Sequence, residues 1–294
     1  MLLDTVKTLC ALSGPASFEG PVRDYLSRRA AAAGAQLRVD GMGNLIAFKK
    51  GAIVHKPGQG PKVMLCAHMD EVGLIIKRIT DDGYLKFAPV GGIDRRVLIG
   101  KPVFVGEGRV PGAIGLKAIH LTAKEEREKI PKLEELYIDI GARDKAEAER
   151  LTHVGDFAVF SDEIVEFGDR MLKAKAIDDR IGCAVMIELL ERDLPIDCTF
   201  AFTVQEEVGT RGAFGAGFSV SPKIALILEG TTAADNPTTA VHRRVCGPKK
   251  GPVICYMDGA TIYDQGLFNL LRDLAEEHHI PWQTKEYVSG GTDA

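Results

Sequence analysis

Short apolar runs alternate with polar turns along most of the chain of 294 residues. Near the start, Leu3, Val6 and Leu9 recur at helical spacing, which predicts a first helix. The same patterns predict further helices at 21–33, 181–192 and 267–279, and strands at 36–39, 45–48, 63–67, 199–205 and 224–228. Such alternation of helices and strands is typical of an α/β fold with a largely parallel sheet.

The pattern changes between residues 72 and 165, where short strand-like runs crowd together between turns rich in Gly, Asp and Pro. The runs lie at 72–79, 84–89, 102–105, 113–117, 136–140 and 157–160. Closely spaced short strands indicate a β-barrel or a sandwich. We therefore predict a discontinuous α/β domain over residues 1–71 and 166–294, and an inserted β domain over residues 72–165.

Four apolar runs end in acidic or imidazole side chains. Val63–Ala67 leads to His68, Lys173–Ile177 to Asp178 and Asp179, Thr199–Gln205 to Glu206 and Glu207, and Ile224–Leu228 to Glu229. Read as buried strands, they bring these groups to the open edge of an α/β sheet, where such folds place their sites. Carboxylates there are costly unless something pairs with them. The pattern predicts a carboxylate-rich metal centre in a hydrolase.

Neighbouring residues in these groups are expected to take different roles. His68 and Asp70 are two residues apart, so on a strand they face the same side, and Asp70 can hydrogen-bond one ring nitrogen while the other binds metal. Asp178 and Asp179 are adjacent and cannot share one direction, so we expect one metal ligand and one carboxylate held behind it by Arg180. By the same logic one of Glu206 and Glu207 is a ligand and the other a general base.

The composition narrows the class of protein. The formal net charge is −4 and the pI about 6.0, which indicates neither a nucleic-acid nor a membrane partner. No apolar stretch approaches the roughly 18 residues of a membrane span, and an acid stands early in the N-terminus, where a secretory signal would be basic. Six scattered cysteines without a C-x-x-C pair indicate reduced, buried thiols. We expect a cytoplasmic location.

Four ordered motifs resemble the tetrahedral (TET) aminopeptidases, a family of co-catalytic metallopeptidases that includes glutamyl and deblocking aminopeptidases. The motifs are His68-x-Asp70-Glu-Val-Gly73, Lys175-Ala-Ile-Asp-Asp-Arg180, Gln205-Glu-Glu-Val-Gly209 and Ser289-Gly-Gly-Thr-Asp-Ala294. The resemblance covers essentially the whole chain. It implies a three-layer α/β/α metallopeptidase domain, an inserted β-barrel-like domain used in assembly and substrate access, and a twelve-subunit homo-oligomer.

The resemblance also assigns roles to the candidate residues. It implies two divalent metal ions per subunit, zinc or cobalt and alternatively manganese. His68 and Glu229 would bind the first ion, Asp178 would bridge both, and Glu207 would bind the second. Glu206 would be the general base and Asp70 would orient His68, with Asp179 and Arg180 supporting the ligands. An unusual, cis peptide bond is expected between Asp178 and Asp179.

One departure from the family concerns the C-terminus. Family members continue past Gly-Gly-Thr-Asp-Ala into a helix and a strand that supply a histidine to the second metal, whereas this sequence stops at Ala294. We therefore expect the chain to lack its C-terminal end and the second metal position to be impaired.

The resulting prediction is a metal-dependent aminopeptidase that removes N-terminal residues from short peptides. A water activated by two metals would attack the peptide bond, with Glu206 as general base. Three alternatives stay open at this point: a metal-dependent deacylase or carboxypeptidase, an endoglucanase-like glycoside hydrolase, and an inactive assembly subunit.

Overall fold

Most of the predicted apolar runs become strands. The computed structural model describes residues 2–53 and 60–294, and the chain divides into two units, Met1–Leu228 and Glu229–Ala294. The strands of the first unit are β1 (Gln36–Val39), β2 (Leu45–Lys49), β3 (Val63–His68), β4 (Gly73–Ile79), β5 (Leu85–Val90), β6 (Pro102–Val105), β7 (Val110–Gly115), β8 (Tyr137–Asp139), β9 (Phe157–Phe160), β10 (Val165–Phe167), β11 (Met171–Lys173), β12 (Cys198–Thr203) and β13 (Ile224–Ile227).

The helices of the first unit are α1 (Leu2–Ala11), α2 (Gly20–Ala32), α3 (Lys124–Arg127), α4 (Lys145–Glu149), α5 (Ile177–Leu190) and α6 (Arg211–Val220). The central sheet has the order β1-β2-β12-β3-β13, in which β12, β3 and β13 run parallel. Side chains of α1, α2 and α5 pack on one face of this sheet in the main apolar core, and α6 packs on the other face through Ala216. The predicted three-layer α/β/α arrangement is therefore confirmed.

The strands between residues 73 and 160 close into a barrel. Its order is β4-β5-β8-β7-β6-β9, and every neighbouring pair is antiparallel. Closure leaves no free strand edge, and the interior is filled by apolar side chains such as Leu74, Phe87, Val105 and Ile138. The predicted barrel-like character of this region is confirmed, while the boundaries 72–165 of a separate domain stay a prediction.

Two parts of the prediction differ from the structure. The run Lys173–Ile177 is not a strand: β11 ends at Lys173 and helix α5 begins at Ile177. The backbone of Asp178 and Asp179 departs from helical geometry, and Ile177 and Ile181 on either side of them both pack against the main core. The prediction of a strand before Asp178 was therefore wrong, because residues 174–176 form an irregular connection in which Ala176 has a φ of 53°.

Helix α6 was not predicted, because its sequence Arg211–Val220 contains three glycines, which disfavour helices. The structure explains one of them. A Cβ atom on Gly212 would lie 2.3 Å from the carbonyl oxygen of Val204 and 2.4 Å from Oδ1 of Asn44. Glycine at this position allows the helix to begin in close contact with the end of β12.

The second unit contains helix α7 (Gln265–Glu277), close to the predicted position, which begins where the Asp264 carboxylate accepts a hydrogen bond from the Leu267 amide. Two isolated bridges, Val253 with Gln283 and Met257 with Ile262, hold the loops around it. Four cysteines are buried and two are half-buried, all as free thiols. In the described part of the chain, no helix is long and apolar enough to span a bilayer.

Candidate active site

The carboxyl edge of the central sheet collects the candidate residues of the first unit. Strand β3 ends at His68, which lies in register with Thr203 at the end of β12, and the turn with Glu206 and Glu207 follows three residues later. Strand β13 runs parallel to β3. Glu229 comes two residues after the end of β13 and begins the second unit.

His68 is buried, and both of its ring nitrogens face acidic residues. Nδ1 lies 3.1 Å from the backbone oxygen of Asp70 and 3.4 Å from its carboxylate. Nε2 lies 3.3 Å from Oδ1 of Asp178 and 4.0 Å from Oε2 of Glu206. The contacts at Nδ1 fix the orientation of the ring, so that Nε2 faces carboxylates from two other elements.

The carboxylates of Asp178 and Asp179 occupy different environments. The Asp178 side chain is 61% exposed, whereas Asp179 is fully buried. Asp179 accepts hydrogen bonds from the backbone amides of His68 at 3.3 Å and Gly182 at 3.1 Å. The peptide bond between the two aspartates is cis, as the family resemblance implies. Asp179 thus links the start of α5 to the end of β3, while Asp178 faces the ring of His68.

Asp70 joins the histidine to the glutamate turn. It is fully buried, and its two carboxylate oxygens accept hydrogen bonds from the backbone amides of Glu206 and Glu207, at 3.0 and 3.1 Å. The sequence predicted only a contact with His68. The two amide bonds mean that one carboxylate positions both the imidazole and the pair of glutamates.

Negative charge accumulates at this edge. Burial raises the pKa of the Glu207 carboxyl to about 7, and the charges of Asp178, Asp70 and Glu206 act in the same direction, opposed by His68. Buried carboxylates that repel one another are stabilised by a cation. Imidazole nitrogen and carboxylate oxygen are also the donor types that zinc, cobalt and manganese accept. The residues present therefore fit a divalent metal centre.

Sequence reasoning missed a group of buried charges next to this edge. The Arg180 guanidinium donates to the carbonyl oxygen of Leu9 at 2.6 Å and lies 3.4 Å from Glu71, which also pairs with Lys175. Arg180 was expected to hold Asp179, but these contacts connect it to Glu71. One signal for these contacts was present in the sequence: Glu71 stands in the motif that begins at His68, and Lys175 and Arg180 stand in the motif that contains Asp178.

A cleft of about 540 Å³ opens beside Asp178 and Glu207. Residues of the barrel region, among them Lys101, Pro102 and Phe160, also line it. The volume of this cleft is typical of ligand pockets, and the cleft lies next to the acidic edge.

The sequence model of the family described as M42 glutamyl aminopeptidase matches residues 43–294. The glutamyl aminopeptidase of Lactococcus lactis is 32% identical over 304 aligned residues, which cover 100% of this chain and 83% of the relative. The chain therefore belongs to the M42 glutamyl aminopeptidase family, and the predicted resemblance is confirmed.

Solved structures agree with this assignment. The aminopeptidase APDkam598 from the archaeon Desulfurococcus kamchatkensis is 37% identical with a TM-score of 0.92, and the match covers 100% of this chain and 81% of that one. The Pyrococcus horikoshii TET1 peptidase, which can assemble into a tetrahedron or a large octahedral shell, is 31% identical with a TM-score of 0.84. That match covers 100% of this chain and 86% of the other.

Proposed function

We propose that this member of an aminopeptidase family is a metal-dependent enzyme that removes N-terminal residues from short peptides. The observation that carries the proposal is the convergence of His68, Asp178 and Glu206 at one sheet edge, with Asp70 holding both the imidazole and the glutamate turn. The same edge adjoins a cleft of about 540 Å³ for the substrate.

The ligands of two ions would come from four residues. His68 and Glu229 would hold one ion and Glu207 the other, with Asp178 shared between them. When bound, divalent ions such as zinc or cobalt lower the pKa of water and polarise a carbonyl group. Glu229 enters this proposal by its position two residues after β13, the strand that neighbours β3, and by the family resemblance.

Glu206 would act as the general base. Its side chain is 16% exposed and its Oε2 lies 4.0 Å from Nε2 of His68, so it is close to the ligands without being fully desolvated. It would accept a proton from the attacking water and later donate one to the leaving amine. Asp70 would keep Glu206 in place through its hydrogen bond to the Glu206 amide.

The cleft favours an acidic first residue in the substrate. Two carboxylates on its wall already have cationic partners: Asp94 pairs with Arg96, and Glu163 with Lys173. Lys101 also lines the cleft, and it forms no ion pair with any of the side chains that the structure describes. An acidic side chain would meet this cation, while the acidic edge would attract the α-ammonium group of the substrate.

The proposal also includes assembly into a homo-oligomer. The Pyrococcus horikoshii TET1 peptidase can assemble into a tetrahedron or a large octahedral shell. By similarity, this chain would form a homo-oligomer, a dodecamer by family resemblance, with residues 72–165 as an inserted domain for assembly and substrate access. Light scattering after size-exclusion chromatography tests this, and a monomer at all concentrations would contradict it.

Substrate and metal requirements can be tested together. The protein is stripped with a chelator and assayed on glutamyl and leucyl anilides after zinc, cobalt or manganese is added back. An N-acetylated anilide, a C-terminally cleavable blocked peptide and a β-glucan serve as controls. The proposal expects metal-restored hydrolysis of the free anilides alone. Cleavage of the blocked peptide or the glucan, or no hydrolysis under any condition, would contradict it.

A further inference from the structure

Three buried, charged side chains lie next to the acidic edge, and we call them the Glu71 cluster: Glu71, Lys175 and Arg180. Glu71 and Lys175 also line the cleft beside Asp178. Their side chains are at most 5% exposed. Lys175 lies 2.8 Å from one oxygen of Glu71 and 3.0 Å from the other, and Arg180 lies 3.4 Å from the first. Burial lowers the pKa of the Lys175 ammonium, and the charge of Glu71 acts in the opposite direction.

The hydrogen bonds of Lys175 exclude a direct chemical role. Its ammonium group has three donors, and it contacts three acceptors: the two oxygens of Glu71 and the carbonyl oxygen of Leu12 at 2.6 Å. Each donor is thus used within the protein, and none is left for a substrate. Lys175 therefore acts on its surroundings rather than on the reacting atoms.

The cluster joins the two segments that carry His68 and Asp178. Glu71 directly follows Asp70, and Lys175 and Arg180 stand on either side of the Asp178–Asp179 pair. A third segment completes the connection, because Gly14 donates its amide to Glu71 Oε1 at 2.9 Å and accepts the Glu71 amide at 3.1 Å. The segment that follows β3 and the start of α5 are therefore tied together by buried contacts.

Stability alone is a weak reason for such a cluster. Desolvating buried charges costs free energy that their attraction often only offsets, and apolar replacements of similar volume are often as stable. What an ion cluster adds is direction, since each hydrogen bond fixes the donor and the acceptor relative to each other. Here the ion cluster fixes the two chain segments that carry His68 and Asp178. The distance from His68 Nε2 to Asp178 Oδ1 is 3.3 Å.

We infer that the Glu71 cluster sets the separation of His68 and Asp178, and that Glu71, Lys175 and Arg180 are positioning residues of the active site. This inference rests on the proposed function, in which His68 and Asp178 hold the same ion. Residues that orient metal ligands typically affect metal affinity or activity about 10–100-fold. The cluster should act on the ion and on turnover, and only weakly on substrate binding.

Lys175→Met is the decisive variant. It leaves Glu71 with Arg180 as a charge-balanced pair, so no carboxylate is left buried without a cation. We expect zinc affinity, measured by chelator competition, and kcat to fall about 10–100-fold, while KM changes little. Glu71→Gln should have a larger effect, because two cations then share a neutral amide.

Arg29→Met is the matched control. Arg29 pairs with Glu191 at 2.6 Å and so ties α2 to the residue after the other end of helix α5. Partly exposed ion pairs contribute about 0–1 kcal/mol, so we expect zinc affinity and kcat to stay near those of the parent protein.

Two outcomes would overturn the inference. Lys175→Met with parental zinc affinity and kcat, but a lower Tm, would show that the cluster only stabilises the fold. Equal losses in Lys175→Met and Arg29→Met would show a general sensitivity of α5. A crystal structure of Lys175→Met gives a readout without activity: the separation of His68 Nε2 and Asp178 Oδ1 should change from that of the parent. An unchanged separation contradicts the inference, whether or not the proposed function holds. If the parent protein neither binds metal nor cleaves anilides, the proposed function alone is contradicted.

Discussion

The barrel and the carboxyl edge of the central sheet bury opposite kinds of side chain. The barrel interior is apolar, with Leu74, Phe87 and Ile138 fully or almost fully buried. At the sheet edge, His68, Asp70 and other charged groups are buried to a similar extent. Buried polar groups cost free energy unless they are hydrogen-bonded. The contrast therefore separates a region built for stability from one built for chemistry.

The two regions nevertheless meet at the cleft. Lys101, Pro102 and Phe160 come from the barrel region, and Asp178 and Glu207 from the acidic edge. We therefore expect changes in the barrel to alter stability or substrate preference. Changes at the edge should alter metal binding or the rate of the chemical step.

Glu206→Gln should have the largest effect on activity. The amide keeps the size of the side chain but loses its basicity, and removal of a general base typically lowers kcat about 10²–10⁴-fold. Metal content should be unchanged. Steady-state kinetics and metal analysis on the same preparation check this, with the exposed Glu149→Gln as control. Near-parental turnover would show that another group is the base.

Asp70→Asn should have the next largest effect. The carboxylate accepts two backbone amides, from Glu206 and Glu207. An asparagine side chain has one acceptor oxygen, so its NH₂ group would face one of those backbone amides. Both groups are hydrogen-bond donors, and that hydrogen bond would be lost. We expect kcat to fall about 10–100-fold. A loss confined to KM would contradict a role in holding the glutamate turn.

Lys101→Met should change specificity. An exposed ion pair contributes up to about 1 kcal/mol, so kcat/KM for a glutamyl anilide should fall about five-fold relative to a leucyl anilide. Lys77→Met, on the exposed side of β4, removes the same charge outside the cleft and should leave the ratio unchanged. An unchanged ratio in both variants would remove Lys101 from the substrate site.

Ile138→Val should have the smallest effect on activity. Ile138 is fully buried in the barrel, and such a truncation typically lowers the free energy of unfolding by about 0.5–1.5 kcal/mol. We expect a lower Tm with unchanged kcat and zinc affinity. A large loss of kcat well below Tm would show that the barrel interior is coupled to the chemistry.

The sequence predicted what depends on local pattern. His68 and Glu206 could be located because they follow apolar runs that become the parallel strands β3 and β12. Asp178 was expected at the end of a strand, but the run before it leads into a helix.

Contacts between distant residues could not be predicted in this way. Glu71 and Arg180 are 109 residues apart, and only the fold shows that they are buried together. The role of Asp70 in holding the glutamate turn depends on backbone amides that a side-chain pattern does not describe.

Metal content is the most direct test of the claim that the sheet edge is a metal centre. Zinc per chain is measured by mass spectrometry after dialysis, for the parent, His68→Ala and Asp178→Ala. We expect the parent to retain the most metal, His68→Ala to lose part of it, and Asp178→Ala to lose the most, because the shared carboxylate would serve both ions. The same metal content in all three folded proteins would contradict the account.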